Sequence, residues 1–247
     1  MSFIYTELLF RPLFNLLVFI FNIIPGGDLG VAILLLTILI RLALSPLSVK
    51  ALRSQREMTK LQPQLQELQK KHKGDKEKLG QETMKLYKEN NANPFGGCLP
   101  LLIQFPIIIA LYRVFIKGLL PETLDQLYSF VPNPGVMSPI AFGFLDLAVA
   151  SGFLAVLVGV LQAINARNTL RHQKQDNPNA QQNQALKMSR QMLYFLPVMM
   201  VVISWRLPSG LVLYFAMTTI FSIFEGLYIR RKYPVEQPMK QIEQAKP

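Results

Sequence analysis

The sequence is poor in the residues on which most active-site chemistry depends. Its 247 residues include one cysteine, Cys98, two histidines, His72 and His172, and one tryptophan. A single cysteine excludes an internal disulfide framework. Both histidines fall in polar stretches far from any second ligand, so solvated loop histidines are expected and a metal site is not. There is no Gly-rich phosphate loop, and PSGL around Ser209 lacks the strand–turn–helix setting of a nucleophile elbow. No histidine lies near an apolar run, which disfavours an intramembrane Ser–His protease. Only one carboxylate, Glu225, lies well inside such a run, and a proton relay needs more. Neither an enzyme nor a cofactor is expected.

Charge is scarce too. Charged residues make up 17% of the chain against 51% hydrophobic, with a mean hydropathy of +0.27. The charges are segregated, which predicts an all-α polytopic membrane protein. Five apolar runs read as transmembrane helices: 29–49, 95–117, 144–166, 190–207 and 209–229, the last four within 94–229. The final two are separated only by a tight turn at Leu207–Pro208–Ser209. A sixth apolar stretch, 3–24, places Glu7, Arg11, Asn15 and Asn22 on one helical face. That pattern predicts an amphipathic helix in the membrane interface over 1–28, with a sixth span as the alternative.

Lys and Arg concentrate in three segments. Residues 50–93 hold eleven against six Asp and Glu, 167–190 five against one, and the tail 230–247 five against two. Five spans put all three on one side, the cytoplasm by the positive-inside rule, with the N-terminus outside and the C-terminus cytoplasmic. Topology and attraction to anionic lipid account for the net charge of +11, so no nucleic-acid site is expected. Within 50–93, Leu61, Leu65 and Leu68 repeat at helical spacing, HKGDK interrupts, and a second helix follows over Lys76–Glu89. A cytoplasmic helical hairpin is expected, with Pro63 bending or restarting its first arm. The outer loop 118–143, with Pro121, Pro132, Pro134 and Pro139, should be irregular; the cytoplasmic loop 167–189 contains a Gln/Asn-rich linker at 173–185.

Polar residues recur at helical spacing inside the spans. Thr37, Arg41 and Ser45 share one face of the first; Gln104, Ile108 and Tyr112 share one of the second. Tyr214, Thr218 and Ser222 form a stripe in the last, with Glu225 three residues on, and Gln162 and Asn165 mark the cytoplasmic end of the third. Singly, such residues join helices by hydrogen bonds. Three stripes and an arginine point to a shared polar cavity, since hydrocarbon does not solvate a guanidinium. Three accounts of Arg41 stand: an internal pair with Glu225, an open wet cavity, and snorkelling to the interface.

TILIRLALSPL, LQPQLQEL, LYKENNANPFGGCLPLLIQFPIIIALY and LPSGLVLYF resemble the YidC/Oxa1/Alb3 family of membrane protein insertases over nearly the whole chain. The resemblance implies five core helices around a hydrophilic groove open to the cytoplasm, a cytoplasmic hairpin, and insertion of new proteins into the bilayer without nucleotide hydrolysis. It implies that Arg41 is the groove arginine with Thr37 one turn away, and that Ile108 and the Tyr214–Phe215 pair line the substrate path. Some relatives carry a second aromatic hydroxyl where Phe215 stands. The implied partners are nascent single-span or small polytopic membrane proteins with acidic outward tails, and the lipid bilayer. The ribosome and a Sec translocon are further candidates. With no transit peptide evident, the expected location is a bacterial plasma membrane. A small channel or transporter, with the stripes lining its path, and a lipid-embedded scaffold are the competing functions.

Overall fold

The computed structural model describes residues 5–90, 92, 99–117, 121–176 and 184–232. Cys98, the start of the second expected span at 95–98, and the tail beyond Lys232 lie outside them. The fold is helical. A π-helical turn, Thr6–Phe10, leads into α1 (Arg11–Ile23), then come α2 (Leu29–Lys60), α3 (Gln62–Lys71), α4 (Lys76–Glu89), α5 (Leu99–Lys117), a 3-10 turn (Pro121–Gln126), and strands β1 (Ile140–Ala141) and β2 (Leu145–Asp146). Helices α6 (Gly152–Asp176), α7 (Gln184–Ser204) and α8 (Ser209–Lys232) complete it. Among the described residues, four helical stretches are long and apolar enough to cross a membrane: Thr6–Ile23, Leu29–Gln55, Gly152–Leu170 and Ser209–Ile229. The apolar parts of α5 and α7, Leu102–Ile116 and Tyr194–Ser204, are shorter.

Local chemistry sets the ends. Pro25 holds Ile24 extended (ψ 123°), and Gly26 and Gly27 adopt positive φ, so α1 stops and the chain reverses. Asp28 restarts it: one carboxylate oxygen accepts from the Val31 N–H at 3.0 Å, the other from the Phe142 N–H at 2.6 Å. The helix therefore begins already tied to the β1–β2 turn.

Several boundaries differ from expectation. The helix of the first expected span does not end near Val49: α2 continues unbroken to Lys60, and the chain first breaks at Leu61, before Pro63 at the start of α3. The first part of the expected hairpin is thus the same rod as the span, and α3 and α4 pack on each other beyond it. Asp75 caps α4 by accepting from the Lys78 N–H at 3.0 Å. The third span starts at Gly152 and not at 144, because residues 140–146 form a β-hairpin turning through Phe142 (φ 53°) and Gly143 (φ 78°). Its helix also runs past 166 to Asp176, into the expected linker. The fourth ends at Ser204, short of 207. The loop expected to be irregular over 118–143 contains the 3-10 turn and β1.

Helix α8 is central, packing against α2, α5 and α6, while α7 packs on α6. One apolar cluster joins α1, α2, α5 and α8 through Phe14, Leu17, Ile33, Leu36, Leu111 and Leu211. A second, Leu154, Val158, Val212 and Ala216, joins α6 to α8, and Phe215 packs against both. Many other large apolar side chains point outward, as the lipid-facing surface of a membrane bundle requires.

The polar stripe of the N-terminal segment faces protein. Asn15, buried, donates to the Arg11 carbonyl (2.8 Å) and the Gln126 carbonyl (3.1 Å) and accepts from the Tyr128 N–H (2.6 Å). The Arg11 Nε donates to the same Gln126 carbonyl, and Asn22 donates to the Pro132 carbonyl. Apart from the Arg11 carbonyl, these partners belong to the loop that follows α5. At the other extremity the Arg113 guanidinium lies 5.1 Å from the Tyr5 ring centroid, roughly 6 Å along α5 from Lys117. The α1 segment is therefore tied to that loop from Arg11 to Asn22, and the residue before the π-helical turn, Tyr5, is held by α5. Asn15→Leu strands the Tyr128 N–H and loosens the Gln126 carbonyl. A stability loss of about 2–3 kcal/mol is expected, against about 1 kcal/mol or less for Asn22→Leu, read from thermal melting in detergent.

Candidate functional site

Most of the residues expected to form a polar cavity lie on α2, α5 and α8, and Gln162 lies on α6. Seals at the loop end, where the loop after α5 meets the start of α8, include the Ser209 Oγ and N–H, both donating to the Val149 carbonyl (2.6 and 2.9 Å), and the Gly210 N–H donating to the Leu147 carbonyl (3.0 Å). A Cβ at Gly210 would lie 2.8 Å from the Phe115 ring, so a larger residue would force α8 away from α5 there.

From that end, α2 carries Thr37, Arg41 and Ser45 inward, with Arg41 roughly 18 Å from Leu29 along the axis. Thr37 is fully buried and its Oγ1 donates to the Ile33 carbonyl at 2.7 Å, so its hydroxyl is engaged by its own helix. On the facing side Tyr214, 1% exposed, accepts from the Gln104 Nε2 at 2.5 Å, joining α8 to α5. Its ring leans on Phe215, centroids 5.9 Å apart.

Arg41 is half-buried, and its ionisable neighbours are Tyr214 and Glu225. Glu225, 8% exposed, takes a side-chain hydrogen bond from Ser45. Arg41 and Glu225 are near enough to feel each other's charge yet form no contact ion pair; the ion pairs among the described residues include Arg11–Glu7 and Lys60–Glu57, both near helix ends. Three buried polar atoms here have no hydrogen-bond partner among the described residues: Arg41 Nε, Thr218 Oγ1 and Glu225 Oε1. They sit on α2 and α8, which pack together. The Ser222 hydroxyl donates to the Thr218 carbonyl at 3.0 Å. A buried polar atom without a partner costs about 1–3 kcal/mol, more for a charged group, so these three atoms would gain from water or from a polar group of a bound chain.

Not every expected residue joins this cluster. Ile108 is half-buried against the first apolar cluster. Tyr112 is 40% exposed near the loop end of α5. Gln162, half-buried on α6, makes no hydrogen bond to the cluster among the described residues. Spacing placed Gln104, Tyr214, Ser45 and Glu225 on stripes but did not pair them across helices. Spacing also missed Thr219, buried and donating to the Phe215 carbonyl, and the role of Ser209 in closing the loop end.

The Gln104–Tyr214 bond gives a direct measurement. Tyr214→Phe and Gln104→Leu should each cost about 1 kcal/mol in thermal melting. The double variant should cost clearly less than the sum, because either change alone removes the bond. Additive costs would show that the contact does not hold α5 to α8.

The chain matches the family described as 60Kd inner membrane protein over residues 19–237. It is 35% identical over 206 residues to a membrane protein insertase YidC of Fusobacterium nucleatum, covering 83% of this chain and 88% of that one. It is 38% identical over 210 residues to a membrane protein insertase YidC of Clostridium tetani, covering 84% of each. A membrane protein insertase YidC of Legionella pneumophila is 38% identical over 230 residues, which are 93% of this chain but only 37% of that longer protein. With a family match over most of its length and relatives of similar size, this helical membrane protein belongs to the 60Kd inner membrane protein family, also known as YidC/Oxa1.

Proposed function

We propose that this chain is a membrane protein insertase that works through a wet, one-ended groove between α2, α5 and α8, with Arg41 as its fixed positive charge. The observation that carries this reading is the guanidinium itself. It lies deep in α2, has an unpartnered Nε, and makes no contact ion pair with Glu225. Water and a passing carboxylate are the partners that suit it. Snorkelling is disfavoured, because eight residues, roughly 12 Å of helix, separate Arg41 from Val49, where the apolar run gives way to Lys50.

A new membrane protein's outward tail must bring polar groups through hydrocarbon, at several kcal/mol per unpaired group. A groove that lets water part-way in shortens the dry path. Arg41 attracts acidic groups on the tail and cannot lose its proton, so the site stays cationic. The apolar segment of the substrate then slides past Ile108 and Phe215 into lipid. Burial of that segment supplies the driving energy, and the membrane potential assists acidic tails leaving a negative interior. No nucleotide enters the cycle. The basic segments face the cytoplasm, the α1 segment lies in the outer interface, and the α3–α4 pair meets the substrate first. A channel needs a path open at both ends, and the hydrogen bonds at the loop end weigh against one.

The test is reconstitution of the purified chain into liposomes without nucleotide, scoring protease protection of a single-span substrate with an acidic tail. Insertion several-fold above protein-free liposomes is expected. Insertion equal to that background would end the proposal.

A further inference from the structure

The stretch from Val136 to Phe153 contains a single charged residue, Asp146, and its carboxylate is occupied by the Ala148 N–H at 2.9 Å. Its backbone polar groups turn inward, as when Leu147 donates to the Pro139 carbonyl. Met137, Ala141 and Leu147 pack into the core, but most of the other large apolar side chains turn outward, above all Val136 (93% exposed), Phe144 (80%) and Phe153 (74%). This inverts the pattern of a loop bathed in water, where a contiguous apolar patch costs about 25 cal/mol per Å² left exposed.

Two neighbouring features identify what covers the patch. Phe153 begins an outward row that continues along α6 as Val156 and Val160, so the patch runs without a break into the surface that lies against acyl chains. Beside it stands Trp205, exposed, with its ring over Gly152, where a Cβ would lie 3.2 Å from the indole. Arg206, also exposed, follows. An amphipathic aromatic next to a cation is the chemistry of the headgroup boundary.

We propose that the β1–β2 hairpin and the linker to α6 are seated in the headgroup–acyl boundary of the leaflet at the loop end, and that the partner of this surface is the bilayer itself. The seat anchors the segment that seals the groove. The seal is formed where the Leu147 and Val149 carbonyls receive the start of α8. The proposal rests on the membrane location of the bundle and not on insertase activity.

Because Trp205 is the only tryptophan, its replacement in Trp205→Phe clears the background for a single reporter. Phe144→Trp in that background, as the full chain in phosphatidylcholine vesicles, should show blue-shifted emission. Acyl chains brominated near the headgroup should quench it at least half as strongly as they quench Trp205 in the parent, with less than twofold further quenching by aqueous iodide. Val136→Trp, at a site with almost no packing to disturb, should behave alike if the first variant folds poorly. Strong iodide quenching without quenching by lipid would overturn the proposal. Blue-shifted emission reached by neither quencher would overturn it too, by assigning the surface to a protein partner.

Discussion

Arg41→Glu is expected to abolish insertion of a single-span substrate with an acidic tail, while Arg41→Lys keeps most of it. Two unit charges about 4 Å apart interact by about 1 kcal/mol in water and about 4 kcal/mol at an effective dielectric of 20. A partly wetted groove falls between these limits. Losing the charge in Arg41→Ala should therefore lower the rate by about tenfold or more, at 1.4 kcal/mol per factor of ten. Reversing it adds repulsion of similar size, so Arg41→Glu falls to background. A substrate whose tail carries no acidic residue should respond within about twofold to all three changes. Lys, Ala and Glu variants inserting the acidic tail equally well, at equal protein levels, would remove the electrostatic role. Glu225→Gln separates this from an internal pair. With Ser45 bonding the carboxyl and no contact ion pair, it should cost about 1 kcal/mol or less in melting and leave insertion intact. A loss as large as that of Arg41→Ala would mean that Arg41 serves the fold.

The largest loss of stability is expected at Gly159. A Cβ there would overlap Val201 Cγ2, and the Pro197 carbonyl is 3.6 Å away. Carbon atoms pack at about 3.5–4.0 Å, so even alanine must rotate Val201 or push α6 from α7. Small residues allow such close helix contact in membranes, where no hydrophobic force opposes separation. Gly159→Ala should cost about 1–3 kcal/mol, and Gly159→Leu should prevent recovery of a monodisperse protein. Val201→Ala removes the clashing methyl groups. The double change Gly159→Ala with Val201→Ala should therefore melt above Gly159→Ala alone, measured in detergent. Unchanged melting in Gly159→Ala alone would show that the helices do not meet there.

Much of this was legible in the sequence because a bilayer leaves helices few alternatives. The stretch TILIRLALSPL gave a helix with Thr37, Arg41 and Ser45 on one face, and Pro63 and Lys76–Glu89 fell where helices restart and run. The errors have one cause. Hydropathy reports which residues avoid water, not which backbone they adopt. FLDLAVA at 144–150 reads as the start of a span, yet forms part of a strand and a linker that present apolar side chains outward. The polar stripe of α1 reads as one face of an amphipathic helix, and spacing could not show that Arg11, Asn15 and Asn22 bond to backbone carbonyls of a loop more than a hundred residues away. Spacing finds residues on one face of one helix. It carries no information on which helix that face will meet, so the Gln104–Tyr214 bond and the approach of Glu225 to Ser45 had to come from the fold.

The unbroken run of α2 from the bundle core to Lys60 also has a mechanical meaning. Roughly 28 Å of helix lies between Arg41 and Lys60. A tilt of about 10° at Arg41 therefore sweeps the far end through about 5 Å. The one weak joint along that arm is Pro46, which lacks the N–H that would bond Leu42 and lies next to Ser45. A load applied where the α3–α4 pair begins is thus geared down and delivered as torque beside the guanidinium. The lever and the charge are parts of one rod.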